Sequence, residues 1–77
     1  MGIRDSIKSG PIRCKIIKRD TFLYSEPDIH SFAIVPISRN CVVSIIQTGL
    51  ICINESWACV IFNNCIGYVR EDNFDEP

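Results

Sequence analysis

Apolar residues in this chain come in short bursts of four to seven, broken by polar clusters every eight to twelve residues. That rhythm predicts strands and turns, since helices need longer segments of 3.6-residue periodicity. The first burst, Ile12 to Ile17, alternates apolar and basic residues before ending in two isoleucines, and predicts a half-buried strand. Thr21 to Tyr24 predicts a second strand, followed by a turn over Ser25 to Asp28 in which Pro27 fixes φ and Asp28 caps the loop backbone. Ile29 to Val35 is held extended ahead of Pro36. Cys41 to Gln47 reads as the strongest strand of the middle, with a bend at Thr48-Gly49 and extended chain again over Leu50 to Ile53.

Turns are marked by residues that tolerate positive φ. Asn40, after Ser38-Arg39, is the candidate for a left-handed turn residue, Asn54-Glu55-Ser56 for the next turn, and Asn63-Asn64 for a two-residue hairpin. The hairpin joins Trp57 to Phe62 with Cys65 to Val69. Along its first arm Ala58, Val60 and Phe62 share one face, and Trp57, Cys59 and Ile61 the other. Gly67 in mid-strand predicts close approach of a neighbour, with Trp57 as the expected one. Arg70 to Phe74 reads as a single 3₁₀ turn with Phe74 folded back. The prediction is an all-β fold, a small barrel of five to six short antiparallel strands with a terminal 3₁₀ turn. A barrel is preferred at this size because closure removes exposed sheet edges. Residues 1–11 are expected to form a flexible leader and residues 12–77 the single domain.

Composition agrees with that picture. The chain has 77 residues, is rich in Ile and Val, and holds only two alanines, so strand propensity outweighs helix propensity. Its net charge of −1 lacks the basic field that phosphate binding requires, and no nucleic-acid partner is expected. The one basic cluster, Arg13, Lys15, Lys18 and Arg19, reads as a solvated strand face. The five cysteines, Cys14, Cys41, Cys52, Cys59 and Cys65, are odd in number and include no Cys-x-x-Cys pair, so they read as free thiols in a reducing compartment, without metal or cofactor. No secretory signal is visible and a cytoplasmic location is expected. Met1-Gly2-Ile3-Arg4-Asp5-Ser6 satisfies the N-myristoylation pattern at Gly2, the one route by which a membrane becomes a partner.

Several stretches resemble the bacterial SH3-like (Src homology 3-like) family. Lys15 to Asp28 is similar to the family's opening, with Ser25 and Pro27 matching and Leu23 at a valine position. Ala33 to Val43 is similar to its apolar stretch, turn and following strand, with Asn40 in place of glycine. Trp57-Ala-Cys-Val60 looks like Trp-Tyr-x-Val, and Gly67-Tyr-Val resembles Gly-Trp-Val. The resemblance covers about Lys15 to Phe74. The ending Gly67 to Phe74 also looks like the Gly-Tyr-Ile-Pro-Ser-Asn-Tyr close of eukaryotic Src homology 3 domains, but Arg70 replaces the proline that helps build a polyproline groove. The resemblance implies an SH3-like barrel and a binding role.

Candidate chemistry is sparse. His30 is the sole histidine and reads as an exposed loop residue, and no nucleophile has a base positioned by the sequence, so no catalytic residue is assigned. Tyr24, Trp57 and Tyr68 are the candidate contact residues, with Trp57 serving equally well as core, and Phe74 is expected to close the barrel. The acidic Glu26, Asp28, Glu55, Glu71 and Asp72 are expected to flank that surface and, where they cluster, to favour a basic partner. The leading expectation is a non-catalytic module for a protein or peptide. The alternatives are a cell-wall (peptidoglycan) targeting domain, or an oligomerisation module acting through a strand edge near Leu50 to Ile53. A monomer or weak homodimer is expected.

Overall fold

A computed structural model of the chain describes residues 13–75. The leader, the Gly2 acylation pattern and Ile12 lie outside them. Six antiparallel strands form one sheet: β1 (Arg13–Ile16), β2 (Thr21–Tyr24), β3 (Ala33–Ile37), β4 (Val42–Cys52), β5 (Glu55–Phe62) and β6 (Cys65–Arg70), followed by a 3₁₀ turn at Glu71–Asn73. In space the order is β1-β4-β5-β6-β2-β3. The centre is a β4-β5-β6 meander, to which β1 is added on one side and the β2–β3 hairpin on the other.

Ile17 is where the sheet curls onto itself. Its N–H donates to the Cys41 carbonyl at 2.9 Å, and its own carbonyl accepts from Asn40 at 2.7 Å. On the opposite side it bridges Phe74, flanked by Lys18 N–H to Asn73 O at 2.8 Å and Asp75 N–H to Ile16 O at 2.7 Å. The chain beyond the 3₁₀ turn thereby returns to the end of β1 and closes the small all-β barrel. Asn73, the one buried polar residue among those described, donates to Thr21 Oγ1 at 3.3 Å and ties the turn to β2.

Every strand from β2 to β6 sends a side chain into one core, made of Ile17, Leu23, Ile37, Val43, Ile45, Ala58, Val60, Val69 and Phe74. Each large member contributes about 1.5–3 kcal/mol of burial, and Phe74 closes the end as expected. Ala58 and Val60 point inward, and Phe62 packs partly buried against the same core, as the alternation predicts. The outward rows are unusually apolar. Ile61 faces Ile66 across β5 and β6, Ile16 faces Val42 across β1 and β4, and all four are exposed.

Four expectations need correction. β1 is not half-buried, since Ile16 is exposed and only the bridging Ile17 enters the core. The chain from Val42 to Cys52 is one long strand, because β-bulges around Gln47 and Gly49 (φ 75°) absorb the bend while pairing with β5 continues. The turn after it consists of Ile53 (φ 51°) and Asn54 (φ 62°), with β5 resuming already at Glu55, so Glu55 and Ser56 belong to the strand. Finally, Gly67 makes room for β2, not for Trp57: a Cβ there would lie 2.6 Å from Leu23 Cγ and 2.7 Å from the Tyr24 carbonyl oxygen. Asn40 (φ 76°) and the Asn63-Asn64 hairpin (φ 55° and 64°) adopt the predicted left-handed conformations.

Candidate functional site

Strand β5 carries two functions on its two faces. Its inward residues fill the core, while Trp57, at its head on the other face, is the floor of a surface groove. One wall is the β2–β3 loop, Pro27, Asp28, Ile29 and His30; the other is the β4–β5 turn, Cys52, Ile53 and Glu55; Arg70 closes one end. The groove encloses about 170 Å³.

Local hydrogen bonds shape the loop wall. Asp28 Oδ1 accepts from the His30 N–H at 2.8 Å, as expected of a capping aspartate. Ser31 Oγ lies 2.6 Å from the Asp28 carbonyl and accepts from the Glu26 N–H at 3.2 Å. Ser25 N–H to Phe32 O at 2.8 Å closes the loop's base. The opposite wall is the tip of the β4–β5 hairpin, where Ile51 and Ile53 are 71% and 75% exposed. Glu71 Oε2 accepts from the Gly49 N–H at 2.6 Å, anchoring the bulge of β4 to the 3₁₀ turn.

Trp57 itself is only 2% exposed. Tyr24 stands against it edge to face, with ring centroids 5.9 Å apart at 82°, and Phe22 meets Tyr24 in turn at 6.3 Å and 62°. Tyr68 is the cross-strand partner of Tyr24. Of the three aromatic residues singled out from sequence, Trp57 lines the groove together with Asp28, Tyr24 packs against Trp57 behind it, and Tyr68 neighbours Tyr24 by strand pairing; neither tyrosine is among the lining residues. Glu26 belongs to the same loop but does not line the groove.

The electrostatics are mildly acidic. Arg70 bonds Glu55 Oε1 at 3.2 Å and Asp72 Oδ2 at 3.1 Å, and its Nε has no partner among the described residues. Such part-exposed pairs are worth at most about 1 kcal/mol each, so Arg70 orients the groove's end more than it stabilises the fold. With one guanidinium set against the carboxylates of Asp28 and Glu55, the lining carries a net negative charge.

Sequence reasoning missed Ile29, Ile53, Cys52 and Arg70 as lining residues. The available signal was the placement of bulky isoleucines in two turns, where polar residues are usual. Among the described residues no group of three metal-ligating side chains stands together, and no helix is long and apolar enough to cross a membrane. All five cysteines are free thiols, with Cys14 exposed and the others half-buried; burial pushes the Cys59 thiol up from its ordinary value. Compared with known proteins, the chain matches no family model, no curated protein and no solved structure.

Proposed function

We propose that this chain is a non-catalytic binding module, an SH3-like barrel that takes an extended protein or peptide segment in the groove above Trp57. The observation that carries the reading is the groove itself, an apolar slot with an aromatic floor and carboxylates on both walls. Aromatic side chains with a polar tip are frequent contact residues because they bring large area at low conformational cost. The occupant that fits is a bulky apolar side chain seated over Trp57 between Ile29 and Ile53, next to a lysine or arginine facing Asp28 or Glu55. Arg70, standing where Src homology 3 domains have a proline, argues against a polyproline ligand and for an ordinary extended segment.

The test is a titration of the isotope-labelled chain with short peptides in which isoleucine or leucine adjoins arginine, alongside peptides with glutamate in its place. The basic set is expected to move the Trp57 indole and the Ile29 and Ile53 methyl signals in a saturable way, and the acidic set to leave them still. Asp28→Lys is expected to weaken binding about tenfold or more, which corresponds to about 1.4 kcal/mol. Saturable shifts confined to another face, or equal binding of both peptide sets, would sink this reading.

A further inference from the structure

The face of the sheet turned away from the core is apolar over four strands. Cys14, Ser44, Ile61 and Ile66 stand side by side across β1, β4, β5 and β6. Ile16 and Val42 form the next row on one side of them, and Cys59 and Tyr68 the next row on the other. Ile16 and Ile61 are exposed, and Val42 and Ile66 are 55% and 62% exposed. None of these eight positions carries a charge. The cations of β1 do not interrupt the patch, because Arg13 and Lys15 pair with the core residues Ile45 and Val43 and so lie on the opposite face of the sheet. Water therefore meets a contiguous apolar surface, of the kind that marks a contact site.

We propose that this face is a self-association surface whose occupant is a second copy of the chain, packed face to face about a two-fold axis. The proposal rests on the outer face alone and holds whether or not the groove takes a peptide. Charge selects a copy over an unlike partner. In a two-fold contact the same patch meets itself, so residues near the axis face their own counterparts; a charged patch would repel itself and this one does not. The only hydrogen-bonding side chains among the eight, apart from thiols, are those of Ser44 and Tyr68, which leaves little by which an unlike partner could be specified. Interfaces between unlike proteins are about as polar as the remaining surface, whereas homodimer interfaces are more apolar, as this face is. Area sets the strength. Four strands by three rows of side chains make a footprint of about 400 Å² at ordinary strand spacing and rise. Two such footprints bury about 800 Å², short of the roughly 1,200 Å² at which stable interfaces begin, so the pair is a transient one. Two sheets packed in this way stand about 10 Å apart with their β-branched side chains interdigitated.

Sedimentation equilibrium on the full chain tests this at concentrations on the order of 10 μM to 1 mM, where weak pairs form. A reversible monomer–dimer equilibrium is expected, together with concentration-dependent shifts of the Val42, Ile61 and Ile66 methyl signals. Ile66→Lys and Val42→Lys, on different strands of the patch, are each expected to weaken association about tenfold or more, because the lysine would be buried against apolar side chains in the pair. Methyl spectra of the dilute variants check that the barrel is unchanged; should either variant unfold, the wild-type methyl shifts decide alone. Ile51→Lys is the control: Ile51 is 71% exposed but pairs with Ser56, which alternates with the outward Trp57, so it lies on the other face of the sheet. Its association is expected to match that of the wild type. A chain that stays monomeric throughout, or that grows beyond the dimer, would overturn the proposal. So would concentration-dependent shifts confined to the groove or to Leu50 to Ile53, or folded lysine variants that pair as tightly as the wild type.

Discussion

Single side chains decide several properties of this barrel. Gly67 is required because a Cβ would meet the Leu23 side chain and, 2.7 Å away, the rigid carbonyl oxygen of Tyr24. Gly67→Ala is expected to cost about 1–3 kcal/mol, the range for overpacking a fitted core, seen as a lower urea midpoint. Cys59 lies on β5 beside Tyr68, and burial holds its thiol above its ordinary value. The folded state thus keeps this proton more tightly than the unfolded chain does. The resulting stability is complete below the ordinary thiol value of 9.0 and is lost as pH rises through the higher folded value. Cys59 is accordingly expected to react with iodoacetamide at pH 8 more slowly than the exposed Cys14, as mass spectrometry of partly alkylated chain would show. The need for a glycine at position 67 was legible in the sequence. Its neighbour was not, because proximity across strands is set by the pairing order.

At the scale of elements, the turns separate what local chemistry specifies from what the groove demands. Asn63 and Asn64 sit at positive φ, which asparagine accepts readily, and their hairpin was predicted from that preference. Ile53 also sits at positive φ, where a β-branched residue is strained by about 1–3 kcal/mol, and propensity alone would never place it there. It is a wall of the groove and 75% exposed, so burial does not compensate the strain. Ile53→Asn is expected to raise thermal stability by the equivalent of about 1 kcal/mol while weakening peptide binding. A variant that gains stability and keeps its affinity would show that the isoleucine is not a contact. The bulged β4 teaches a related lesson. Thr48-Gly49 signalled a bend, yet pairing with β5 carries the strand through it, and Glu71 of the 3₁₀ turn secures the Gly49 N–H.

For the whole molecule, closure is the decisive feature. Phe74 is 4% exposed and bridges Ile17, so one aromatic residue joins the two ends of the barrel. Phe74→Ala is expected to cost about 3–5 kcal/mol, enough to unfold much of the population of a domain this small, and calorimetry would register the lost transition. Ile66→Lys, on the exposed outer face, is expected to stay within about 0.5 kcal/mol of the wild type, which separates core loss from a general sensitivity to substitution.

The sequence alone determined the strand-and-turn rhythm, the asparagine turns and the closing phenylalanine. Each of these follows from local backbone preference or from the need to bury large side chains in a short chain. Which face of each strand is inside was only partly legible, because Ile16, Val42, Ile61 and Ile66 leave the outer rows nearly as apolar as the inner ones. Only the tertiary structure decided that Pro27 to His30 and Cys52 to Glu55, more than twenty residues apart, face each other over Trp57. The same holds for the pairing of β1 with the start of β4, Arg13 opposite Ile45 and Ile16 opposite Val42. Both depend on strand order and register, which long-range pairing sets and no local pattern encodes.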